Sequence, residues 1–132
     1  ALGTAMLARR RGGPEIAYLA LAYPAVGVNP GADAMVDSAL LNYCGSYEAA
    51  DDPLVSPIMD ESPNRMPPML IVIGTCDFLL DQNLRYVKYV ADKGGDVQLA
   101  LFQGMPHGFI QMTIDAGQQA IKLIAERIRN HL

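Results

Sequence analysis

Two cysteines in 132 residues are too few for a disulfide framework. Cys44 and Cys76 therefore read as free thiols, which points to a reducing, cytoplasmic setting. Positive charge is scarce as well. Ten Lys and Arg stand against fourteen Asp and Glu, a net charge of −4, and no basic stretch exceeds Arg9-Arg10-Arg11. A nucleic-acid binder needs a basic stripe to meet the phosphates, so no nucleic-acid partner is expected. Long apolar runs are missing too. The longest, Ile16 to Pro24 and Met69 to Ile73, fall far short of the ~20 residues of a membrane helix. The chain opens without an initiator Met or a charged n-region, so no signal peptide is expected in it. What is present, 51% hydrophobic and 18% charged residues, excludes disorder. It fits an acidic globular domain or part of one.

Ala1 to Arg11 reads as a helix with Leu2, Met6 and Leu7 on one stripe and three arginines at the favourable end of its dipole. Gly12-Gly13-Pro14 stops it. No Ser, Thr, Asp or Asn stands before Ala1 to cap the first turn, so a segment upstream of it is expected. Glu15 to Tyr23 is almost unbroken apolar material, as in a parallel strand covered on both faces. Residues 25–66 are irregular and proline-rich, with one helix expected over Ala32 to Tyr43. Met69 to Ile73 reads as a second buried strand, closed by Gly74, and Val97 to Phe102 as a third. Between them a helix capped by Asp81 runs to Lys93, with Leu84, Val87, Val90 and Ala91 inward and Tyr86 and Tyr89 as surface cover. A last helix spans Asp115 to Leu132, with Ile121, Ile124, Ala125 and Ile128 inward.

Strands that alternate with helices give an α/β fold, with a parallel sheet and right-handed crossover helices. Three strands are few against a usual ~5–6, and one flank of the sheet would be an open apolar edge. The chain is expected to be part of a larger sheet.

In such sheets the reacting groups lie just past the carboxyl ends of the strands. Gly74-Thr75-Cys76-Asp77 follows the second strand and Gly104-Met105-Pro106-His107-Gly108-Phe109 the third. Asp77 and His107 are thus candidates for neighbouring strand ends. A carboxylate beside an imidazole accepts the Nδ1 proton, sets the tautomer and stabilises the cation formed when Nε2 takes a proton. Phe109 could wall the site or pack into the core, and packing is the expected role. A nucleophile is absent. No G-x-S-x-G elbow occurs; Ser46 does not follow a buried strand, and Ser56 lies among prolines. His107 and His131 lack metal-ligand spacing to a Cys or carboxylate pair. No glycine-rich loop leads from a strand into a helix to hold a phosphate. The arginine triplet reads as a solvated helix end.

Four stretches together resemble the C-terminal half of a hormone-sensitive-lipase-like esterase of the α/β-hydrolase fold. They are Ala20-Leu21-Ala22-Tyr23-Pro24, Asp52-Pro53-Leu54-Val55-Ser56-Pro57, Pro67 to Asp81, and Gly104 to Phe109. The resemblance implies that Asp77 is the catalytic acid and His107 the catalytic histidine of a Ser-His-Asp triad. Its serine, in a G-D-S-A-G-G elbow, would lie just upstream of Ala1, and the H-G-G-G oxyanion loop further upstream. Residues 1–132 would then form the C-terminal part of one domain whose N-terminal strands are missing, with 25–66 beside the cap. The implied activity is hydrolysis of small carboxylic esters, with no cofactor, no metal and a possible homo-oligomer. A ligand-binding receptor on the same fold, or an inactive fragment, is the alternative. Two departures stand out. The cap stretch from Pro24 to Asp52 is short, and Phe78 follows the acid where a proline is common; little effect of Phe78 on the triad is expected.

Overall fold

The computed structural model describes residues 1–27, 38 and 41–132. Three parallel strands form one sheet in the order β1 (Leu19–Ala22), β2 (Met69–Gly74), β3 (Val97–Phe102). Leu19 pairs with Met69 and Ala22 with Val72; Met69 pairs with Val97 and Gly74 with Phe102. Among the described residues, three longer helices pack on it: α1 (Leu2–Arg11), α2 (Leu80–Asp92) and α3 (Asp115–Arg129). Short 3-10 turns at Pro57–Met59 and Pro63–Arg65 each begin on a proline, whose missing N–H is no loss in a first turn.

β2 organises the core because all six of its residues are buried. Side chains alternate across a strand, so Met69 and Ile71 meet Leu2, Met6, Tyr86 and Val90 of α1 and α2 on one face. Leu70 and Val72 meet Phe109 and Ala120, with Leu123 and Ile124 of α3, on the other. The result is three layers, helix on sheet on helix.

Several expectations need correction. The first strand is shorter than Glu15 to Tyr23 because its partner cannot extend backwards: Pro67 and Pro68 precede Met69 and have no N–H for a ladder. The Leu19 N–H donates to the Pro68 carbonyl at 3.0 Å, and pairing begins there. Residue Leu79, without a side-chain cap, precedes α2, and Asp81 stands inside its first turn. The buried stripe of α2 is Asn83, Tyr86 and Val90, so Leu84 and Ala91 face outward, and Tyr86 is fully buried rather than surface cover. In α3 the buried residues are Gly117 and Ala120, while Ile121 and Ile128 are exposed. The helix expected over Ala32 to Tyr43 lies largely outside the described residues; 41–44 are helical.

Arg9 is not a solvated helix end. Its guanidinium donates to both Asp60 oxygens at 2.9 and 3.0 Å and to the Ser62 carbonyl at 2.8 Å. The Tyr89 hydroxyl donates to the Asp60 carbonyl at 2.8 Å. These contacts bind α1, α2 and the irregular segment into one unit. Cys44 and Cys76 are both free thiols.

Candidate active site

Two loops at the carboxyl edge of the sheet build the site. The β2 loop is stitched to the β3 loop by three hydrogen bonds. The Thr75 N–H donates to the Phe102 carbonyl at 3.0 Å, the Cys76 N–H to the Met105 carbonyl at 3.0 Å, and the Gly104 N–H to the Thr75 hydroxyl at 2.7 Å. Such close approach needs Gly74: a Cβ there would lie inside the Met105 peptide, 2.5 Å from its carbonyl carbon. Past His107 the chain turns through Gly108 at φ +80°, a conformation that only glycine adopts freely. It then buries Phe109 completely, with the ring 5.1 Å from Phe102. Phe109 therefore anchors the loop from the core.

The carboxylate of Asp77 is buried, its side chain fully so. Its Oδ1 accepts the Leu79 N–H at 2.8 Å, a tight turn that leads into α2. Nδ1 of His107 lies 3.1 Å from Oδ1 and 3.0 Å from Oδ2. An ionised carboxylate only accepts, so Nδ1 carries the proton and donates it. Nε2 is left as the free lone pair, able to take a proton from a neighbouring hydroxyl. Burial, and then the Asp77 charge, raise the nearby Tyr23 phenol above its ordinary 10.0. It is a neutral neighbour of the pair at physiological pH.

His107 opens on a cavity of about 630 Å³ whose walls include Leu2, Leu21, Leu54, Val55 and Phe78. The first residues of α1 and the edge strand β1 border it. Among the described residues, no group of three or more His, Cys, Asp or Glu is placed to hold a metal ion, and no helix is long and apolar enough to cross a membrane. Ser56 is buried, and Ser46 lies in the bend before the Glu48–Asp51 turn.

Sequence reasoning brings Asp77 and His107 to this edge, and the structure places them in contact. It misses Thr75, whose hydroxyl oxygen accepts a hydrogen bond from the Gly104 N–H of the facing loop. It also misses the ring contacts of Tyr23 and Phe78 with His107. A Thr just past a strand end beside the acid is the local signal for the first. Only the fold could supply the others.

A parallel sheet that carries a carboxylate–imidazole pair on successive strand ends defines a class. Residues 1–111 match the family described as alpha/beta hydrolase fold, and the chain belongs to it. Its structural likeness is to esterases. One from Pyrobaculum calidifontis is 26% identical with a TM-score of 0.86, over 98% of this chain and 48% of that protein. A thermostable carboxylesterase from a metagenomic library is 26% identical with a TM-score of 0.84, over 100% of this chain and 51% of that one. Among curated proteins, the ethyl acetate hydrolase of Pseudomonas putida is 31% identical over 83 residues, which are 61% of this chain and 26% of that protein. The chain thus spans about half the length of the solved relatives and about a quarter of the curated one.

Proposed function

We propose that residues 1–132 are the C-terminal part of a serine carboxylic-ester hydrolase domain, with 25–66 beside its cap, and that Asp77 and His107 are two members of its triad. The observation that carries this reading is the Nδ1–carboxylate contact at adjacent strand ends, in a chain of this family. The third member is a serine in the upstream half of the fold. Its oxygen attacks the ester carbonyl carbon while His107 Nε2 takes its proton. The carbon–oxygen bond to the alcohol then breaks, and His107 returns the proton to the leaving oxygen. Water repeats both steps on the acyl-serine and releases the acid. Asp77 holds the imidazole in the tautomer that exposes Nε2 and stabilises the cation between the steps. Upstream backbone N–H groups hold the oxyanion. No cofactor enters these steps.

The substrate is a small carboxylic ester with a short acyl group. The apolar lining of the cavity fits a carboxylic ester, and the name of the Pseudomonas putida relative supports a short acyl group. The test is hydrolysis of p-nitrophenyl acetate by the protein with its upstream half. His107→Ala should abolish turnover beyond the slow attack of free imidazole, and Asp77→Asn should lower kcat by ~10⁴. An intact protein that binds esters without cleaving them would instead be a receptor on the same fold.

A further inference from the structure

His107 sits on a loop between two glycines of positive φ, Gly104 and Gly108, and its side chain is 38% exposed. The hydrogen bond from Nδ1 pins one atom of the ring. Together with the Cβ–Cγ bond it holds one edge of the ring, and coupled changes of χ1 and χ2 can still displace Nε2 at the far edge. Two other rings lie against the imidazole. Tyr23 stands with its centroid 4.6 Å from that of the imidazole and its plane tilted by 56°. Phe78 stands at 4.8 Å with a tilt of 39°. They come from the ends of two different strands.

Each has a feature that packing alone does not explain. Tyr23 has φ +37°, the one positive value outside glycine among the described residues. Bulky residues rarely adopt it, and the following Pro24 restricts the backbone further. Strain of this kind gathers where a side chain must be aimed. The Tyr23 N–H donates to the Val72 carbonyl at 2.7 Å, which fastens the strained residue to β2. Its ring also lies 6.2 Å from the buried Phe109. Phe78 directly follows Asp77 and shares the cavity wall with His107. Its ring lies against the imidazole and belongs to neither core cluster.

We infer that Tyr23 and Phe78 are positioning residues whose rings bracket the His107 imidazole, fix where Nε2 stands, and stabilise the ring as a cation during turnover. This rests on the reading of His107 as the proton carrier of an ester hydrolase. Both centroids fall within the ~6 Å over which a π face attracts a cation. Leucine at position 78 would still cover the imidazole but has no π face, whereas tyrosine keeps the ring.

The experiment compares Phe78→Leu, Phe78→Tyr and Tyr23→Phe in the protein that includes its upstream half. It reads kcat and KM for p-nitrophenyl acetate and the proton NMR line of the His107 Nδ1–H, assigned by its loss in His107→Ala. Phe78→Leu should lower kcat on the order of tenfold, with KM within about twofold, and should broaden the Nδ1 line through faster exchange. Phe78→Tyr and Tyr23→Phe keep their rings and should retain both readouts. Phe78→Leu with the parent kcat and an unchanged line would overturn the inference. So would a loss that Phe78→Tyr shares, because retaining the ring would then not be enough to preserve function. An inactive parent protein overturns the ester-hydrolase reading instead, and the Nδ1 line in the same variants then decides the bracket by itself.

Discussion

Gly74→Ala isolates the approach of the two site loops, because its backbone is one that alanine accepts: Gly74 has no positive φ. The whole penalty is therefore steric. The new Cβ would stand 2.5 Å from the Met105 carbonyl carbon and 2.9 Å from its Cβ, where ordinary contact begins at 3.4 Å. The obstacle is backbone and the Met105 carbonyl oxygen is nearer still, so the β3 loop must retreat by about 1.5 Å, since side-chain rotation cannot relieve the clash. That retreat stretches the Cys76 N–H bond to the Met105 carbonyl. Overpacking of this sort costs about 1–3 kcal/mol, and the weakened hydrogen bond adds about 1 kcal/mol. Met105 is two residues before His107, so the same shift pulls the imidazole from Asp77. A misplacement of ~1 Å is worth ~10² in rate. Urea unfolding gives the first quantity, and kcat on p-nitrophenyl acetate, with the Nδ1 line, gives the second. Gly13→Ala is the control: its Cβ would make only ordinary contacts with Ala8, and its stability should stay within about 0.5 kcal/mol. A Gly74→Ala protein as stable as that control, with kcat and the Nδ1 line intact, would refute the claim that this approach positions the site.

Two further predictions concern the scaffold. Arg9→Ala should destabilise the fold by about 3 kcal/mol in urea unfolding, because it strands the nearly buried Asp60 carboxylate without its bidentate partner; Arg9→Lys should recover only part of this, since an ammonium cannot reproduce the fork. Tyr86→Phe should be neutral or stabilising by up to about 1 kcal/mol at pH 7, because the buried Tyr86 hydroxyl has no hydrogen-bond partner among the described residues. The same change should flatten the alkaline loss of stability. Burial, and then the Asp60 charge, raise the Tyr86 phenol above its ordinary 10.0. Below pH 10 it is neutral folded or unfolded; above pH 10 the unfolded chain gives up the proton first, so stability falls as pH rises. Urea midpoints of both proteins at pH 7 and above pH 10 check this.

Local patterns carried much of the fold. Met69 to Ile73 is apolar without interruption, and no placement other than a central strand buries both of its faces. The stop at Gly12 and the turn at Gly94-Gly95 were legible because left-handed backbone is glycine's own signal, and Gly12 and Gly94 have φ +61° and +80°. The positions of Asp77 and His107 followed from the same reasoning, since residues just past parallel strands share one edge of a sheet. Which face of each helix turns inward did not. Of the expected inward residues Leu84, Val87, Val90 and Ala91, Val90 is buried and Val87 packs against the core, while Leu84 and Ala91 turn outward. Hydrophobicity favoured Leu84 over its neighbours. Tertiary structure turned Asn83 and Tyr86 inward, where Asn83 donates to the Pro24 carbonyl at 2.9 Å and Tyr86 joins the core cluster with α1. In α3, likewise, Gly117 and Ala120 displaced the larger Ile121 and Ile128. The chain after His107 crosses so close that a Cβ on Gly117 would meet the Met112 carbonyl oxygen at 2.9 Å. Local spacing specifies the period of an amphipathic helix, but its phase is decided by the shape of the surface it meets. The rings around His107 belong to the same category: they come from residues 23 and 78, and only the order β1-β2-β3 brings both positions to His107.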